Sequence, residues 1–120
     1  MAKSDWQTKG TSEFAGGVSD SLYGATAYAY EDNYAGVLTR AHKAWFFYEN
    51  EVVCLGAGIT SGAEAEVVTT VNQCLEKGQP VWIRNGKKVC QMNPEDSVGG
   101  SLKWVLHNGV GYIFLSLIHI

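Results

Sequence analysis

Apolar and polar positions alternate with a period of two over much of this chain, and residues 22–30 show it first. Tyr23, Ala25, Ala27 and Ala29 fall on one side, with Gly24, Thr26, Tyr28 and Tyr30 on the other. Small residues one way and aromatic ones the other suit a strand packed closely on a second layer. Residues 41–59, AHKAWFFYENEVVCLGAGI, carry the pattern further. Arg40, His42, Ala44, Phe46 and Tyr48 alternate with Ala41, Lys43, Trp45 and Phe47, and both sets become apolar toward a polar break at Glu49 and Asn50. That outline predicts two core strands joined by a tight turn. A helix over 39–48 competes, because Ala41, Trp45 and Tyr48 would share one helical face. The β-branched continuation at Val52 and Val53 favours the hairpin.

Turn chemistry punctuates the rest. Ser19, Asp20 and Ser21 form a turn cluster after Phe14 to Val18, and 31–36 reads as an acidic, turn-prone connection. Gly56, Gly58 and Gly62 predict a bulge or a close crossing of backbones. EVVTTVN, residues 66–72, is β-branched at nearly every position and predicts a strand. Two hairpins are expected around Asn85-Gly86 and Asn108-Gly109, where Asn-Gly supplies the positive φ angles of a type I′ turn. About eight short strands with no convincing helix predict an all-β, antiparallel β-sandwich.

Composition narrows the class. At 120 residues, 46% hydrophobic and 18% charged, the chain is sized for one globular domain. A net charge of −3, with nine scattered Lys and Arg, argues against a nucleic-acid or anionic-membrane partner. Three cysteines, Cys54, Cys74 and Cys90, match no zinc spacing and are expected as buried free thiols. No secretory leader is visible in MAKSDWQTKGTSEF. Residues 1–13 read as a loop or entry segment. The final LSLIHI, residues 115–120, resembles read-through from a cloning junction and is expected to be foreign, so His119 carries no weight. Both ends read as cut.

Residue by residue, the candidate chemistry is thin. His42 and Tyr48 tempt as a base and acid, but six residues of strand separate them by about 20 Å. His42 is therefore read as a half-buried, hydrogen-bonded histidine, and His107 as a polar residue flanking a turn. Trp45, Phe46, Phe47 and Tyr48 are expected in the core rather than as sugar platforms, with Trp82 or Trp104 partly exposed. Asp20, Glu31 and Asp32 lack a calcium-loop spacing and read as solvated turn residues. Asn72 and Gln73 are expected to satisfy backbone groups at a bulge or strand crossing. No catalytic, metal or cofactor-binding residue is assigned.

Four stretches resemble polysaccharide lyase family 8, the hyaluronate, chondroitin AC and xanthan lyases. These are GGVSDSLYGATAYAY, KAWFFYENEVVCLGAGI, TTVNQC and WVLHNGVGYIF, and the resemblance runs over 14–114 in the order of that family's central β-sandwich. It implies a longer, secreted parent in which an N-terminal helical toroid holds most of the cleft. It also implies β-elimination at a uronic acid of an acidic polysaccharide. In that chemistry an amide masks the carboxylate, a His or Tyr takes the C5 proton, and a Tyr protonates the leaving oxygen. Those groups are expected outside this chain, whose piece of the sandwich is expected to be inactive by itself. The competing reading is a free-standing β-sandwich that binds carbohydrate or protein without catalysis.

Overall fold

The computed structural model describes residues 11–33 and 36–115. Eight strands are present among them: β1 (Ala15–Ser19), β2 (Gly24–Asp32), β3 (Thr39–Phe47), β4 (Val52–Ser61), β5 (Val81–Asn85), β6 (Lys88–Met92), β7 (Leu102–His107) and β8 (Val110–Ile113). They form two four-stranded sheets, ordered β1-β2-β3-β4 and β6-β5-β7-β8. Every pairing is antiparallel. The first sheet belongs to a compact unit, Met1–Thr69, and the second to another, Thr70–Ile120. The all-β, antiparallel reading stands, and residues 39–47 are strand rather than helix.

The first sheet is a meander of short connections. Asp20 closes the β1–β2 turn: its Oδ1 accepts the backbone N–H of Leu22 at 3.0 Å and of Tyr23 at 2.7 Å. Ser21 takes a φ of 79° there. The β3–β4 hairpin turns at the polar break, where the Tyr48 N–H donates to the Glu51 carbonyl at 2.9 Å. Farther along, Arg40 pairs with Thr60 but His42 with Ala57, so Gly58 and Ile59 together oppose Ala41. That is a β-bulge, with Gly58 as its left-handed residue at φ 60°. The expected bulge is real, and Gly58 is the glycine that makes it possible.

The two Asn-Gly pairs behave differently. His107 pairs with Val110, leaving Asn108 and Gly109 as the two turn residues, at φ 51° and 76°. Both signs are positive, as a type I′ turn requires. In the other hairpin Asn85 pairs with Lys88, so the turn is Gly86-Lys87, with positive φ at Gly86. That is the φ pattern of type II′, one residue later than expected. Asn85 stays in the ladder beside a register shift against β7, and the Gly86 N–H is held by the Ser101 carbonyl at 2.8 Å.

Three expectations fail. Residues 66–72 form no strand, and Val68 and Val71 are exposed. β-Branched preference is a fit to a pleated, half-buried surface, and this stretch has no ladder partner among the described residues. The acidic connection begins later than 31, since β2 runs through Asp32. The core is also smaller than expected. Buried hydrophobic residues among those described are Ala41 and Ile83, at 6% and 4% exposure.

Candidate functional site

Register sorts the first sheet into two faces. One carries Val18, the β2 alanines, Phe46, Ala44, His42, Val53 and Leu55. The other carries Thr26, Tyr28, Tyr30, Trp45, Lys43, Val52 and Cys54. Within β2 the alternation puts the alanines on one side and Tyr28 and Tyr30 on the other, as read from 22–30, while β3 places an aromatic ring on each face, Phe46 on the first and Trp45 on the second. Trp45 and Phe46 are half-buried, whereas Phe47 and Tyr48 are exposed at 42% and 47%. The expected aromatic core is therefore only partial. Phe47 is the last rung of β3, between Gly24, which has no side chain, and Val52, and Tyr48 lies beyond the strand.

The ring contacts are local. Tyr28 and Tyr30 meet edge to face, with centroids 6.0 Å apart, and Tyr23 packs on Tyr48 at 5.9 Å. The Tyr30 hydroxyl donates to Asp32 Oδ2 at 3.3 Å. Burial and then the Asp32 charge push the Tyr30 phenol above its ordinary range. At the same end of the sheet Arg40 Nε donates to Glu31 Oε2 at 2.8 Å, and Thr11 Oγ1 to Glu31 Oε1 at 3.0 Å. Those two donors hold the Glu31 carboxyl below the usual carboxylate range. Asp20 is likewise held low, by the Tyr23 and Leu22 amides. Each acid flagged as a turn residue thus has a structural partner.

Tempting residues do not converge. His42 is exposed inside β3, with Nδ1 packed toward the Gly58 bulge. Tyr48 lies beyond the far end of β3, against Tyr23. The β1–β2 corner encloses an open depression of about 520 Å³ lined by apolar and small residues including Val18, Leu22, Tyr23 and Phe47. It contains no His, acid or basic side chain in its lining. Among the described residues no group of His, Cys, Asp and Glu has a metal-binding arrangement. Asn72 and Gln73 are exposed, and no strand crossing engages them. His107 ends β7 next to its turn, as expected.

The cysteines depart from expectation. All are free, with Cys54 and Cys74 exposed and Cys90 intermediate. Cys54 belongs to an edge strand, where its cross-strand partner is Trp45 on one side alone, and it stays exposed. In the second sheet Trp82 is 41% exposed and Trp104 half-buried, so one tryptophan is indeed partly open. Trp82, Leu106 and Ile113 expose apolar surface on β5, β7 and β8, a patch that the alternation in each strand makes legible only once the register is known.

Comparison with known proteins agrees with this architecture. Residues 1–119 match the family model described as polysaccharide lyase family 8, super-sandwich domain. A chondroitinase-AC from Pedobacter heparinus is 44% identical over 109 residues, covering 91% of this chain and 15% of that protein. A hyaluronate lyase from Thermasporomyces composti is 38% identical over 63 residues, covering 52% of this chain and 8% of that protein. No solved structure gives a significant match. The chain therefore spans under a fifth of the length of these curated relatives, and it belongs to polysaccharide lyase family 8, within the super-sandwich domain.

Proposed function

We propose that these residues are a non-catalytic β region of a polysaccharide lyase. The complete protein cleaves uronic-acid-containing chains of the hyaluronan, chondroitin or xanthan type by β-elimination. The observation that carries this is the 44% identity to a chondroitinase-AC across 91% of the chain, with only 15% of that protein covered. β-Elimination needs a donor that masks the uronate carboxylate, a base at C5 and an acid at the leaving oxygen, all within a few ångströms. Here His42 and Tyr48 sit at separate places on the sheet, Asp20 is engaged in a turn and Glu31 in an ion pair. The catalytic groups and the helical toroid belong to the rest of the parent. This region braces the toroid. A polymeric acidic substrate is too large to cross a membrane intact, which supports reading the parent as a secreted protein.

The test is the complete protein incubated with hyaluronan, chondroitin or xanthan. Ultraviolet absorbance from an unsaturated uronate is expected, and its absence with all three would overturn the reading. The 120-residue chain assayed by itself should yield none.

A second reading, a non-catalytic module that binds carbohydrate or protein, is favoured by one observation, the exposed Trp82 beside Leu106. It requires a sugar-dependent change in tryptophan fluorescence that Trp82→Ala removes.

A further inference from the structure

Register gives the second sheet one packed face and one open face. Ile83 is buried, and its partners on either side, Cys90 and Val105, are half-buried. The opposite face carries Gln91, Trp82 and Leu106 in one row across β6, β5 and β7, all exposed. Arg84 and Trp104 stand opposite each other in the next row, Arg84 exposed and Trp104 half-buried. Trp82 and Trp104 are therefore diagonal neighbours on one face, with backbones about 7–8 Å apart. Gly111 continues the first row into β8, and a Cβ built on it would meet nothing within 4 Å, so the row is open at that end.

Charge is segregated in the same place. The chain is acidic as a whole, at −3. The two hairpins of this sheet, 81–92 and 102–113, nevertheless hold Arg84, Lys87, Lys88 and Lys103 and no Asp or Glu. Among the described residues no carboxylate forms an ion pair with any of the four. Lys87 lies in the β5–β6 turn, and Lys103 is the extra residue where the β5–β7 register slips. The Arg84 Nε donates to the Gly86 carbonyl at 3.2 Å, which tethers the guanidinium beside that turn.

We propose that this face binds an acidic polysaccharide that carries uronate groups. The indoles of Trp82 and Trp104 stack on the apolar faces of sugar rings, and Arg84 pairs with a uronate carboxylate through its fork of donors. The Gln91 amide serves a sugar hydroxyl. Charge complementarity selects this occupant. An apolar protein surface laid over the same face would strip water from Arg84 without supplying a counter-charge. The proposal rests on the reading of the chain as part of a lyase that acts on uronic-acid polymers.

Hydroxyl-radical oxidation of Trp82 in the complete protein tests it, read by mass spectrometry immediately after mixing with hyaluronan, chondroitin or xanthan. Trp82 should oxidise readily without sugar, and at least one of the three polymers at saturation should lower its oxidation at least about threefold. Protection by none of them overturns the proposal, as does equal protection by neutral dextran or by DNA. Low reactivity before any sugar is added also overturns it, because the rest of the parent then covers the face. Reactivity that falls with protein concentration does the same, since the occupant is then a second copy. Arg84→Gln should lose most of the protection, and full protection in that variant places the binding elsewhere and overturns the proposal. Lys87→Gln, at an exposed turn position, repeats the test where Arg84→Gln disturbs folding, and should raise the polymer concentration needed for half-protection. Unsaturated-uronate release is assayed separately. Protection without release would sink the lyase reading and leave the binding face standing, and release without protection would do the reverse.

Discussion

Gly58 occupies a backbone conformation that a side chain resists. Its φ is 60°, and a Cβ placed on it would lie 3.2 Å from His42 Nδ1. Gly58→Ala should cost about 1–2 kcal/mol, from the left-handed strain together with the tight contact. Denaturant unfolding checks it. Adding His42→Ala should recover only the contact part, because the backbone strain remains. Asp20 and Glu31 have lowered folded-state pKa values, set by the Tyr23 amide and the Arg40 guanidinium respectively. Their stabilisation is therefore complete above the ordinary carboxylate range and is lost as pH falls through the lower folded values. Melting temperature should decline on acidification below about pH 4, and Asp20→Asn should flatten that decline. The bulge glycine was legible in the chain, since glycine in an apolar run marks such sites. The partners of Glu31 were not, because Arg40 meets it through strand pairing and Thr11 through the backbone running alongside β2.

At the level of elements, the two Asn-Gly hairpins show how local chemistry and register divide the outcome. Asn108 and Gly109 both sit at positive φ in the turn, so Asn108→Ala should destabilise the β7–β8 hairpin by about 1 kcal/mol. Asn85 lies in the ladder instead, and its Oδ1 is buried without a hydrogen-bond partner among the described residues. Asn85→Ala should therefore cost less than Asn108→Ala, because the acceptor that it removes contributes no bond. Comparing the two variants by thermal unfolding tests the register directly. The same dipeptide predicts the same turn, but the pairing of Asn85 with Lys88 moves one of them by a residue. Residues 66–72 make the complementary point. Their β-branched composition is correct for a strand, but a strand exists only with a partner.

For the molecule as a whole, exposed apolar surface is the dominant feature. Val18, Leu55, Val68, Leu75 and Ile113 all lie open, and buried hydrophobic residues among those described are confined to Ala41 and Ile83. The isolated chain should therefore bind a hydrophobic dye strongly, and the complete lyase should bind far less per mole. Fluorescence titration of both checks this, and equal binding would count against cover by the rest of the parent. The sequence by itself determined the strand periods, the polar break at Glu49 and Asn50, the Asp20 turn and the family, because each is written in neighbouring residues. Tertiary structure decided which Asn-Gly pair makes a type I′ turn, why Cys54 is exposed and that β4 ends its sheet among the described residues. Those depend on which strands pair and what lies across them, and no local pattern encodes contacts between distant parts of a chain.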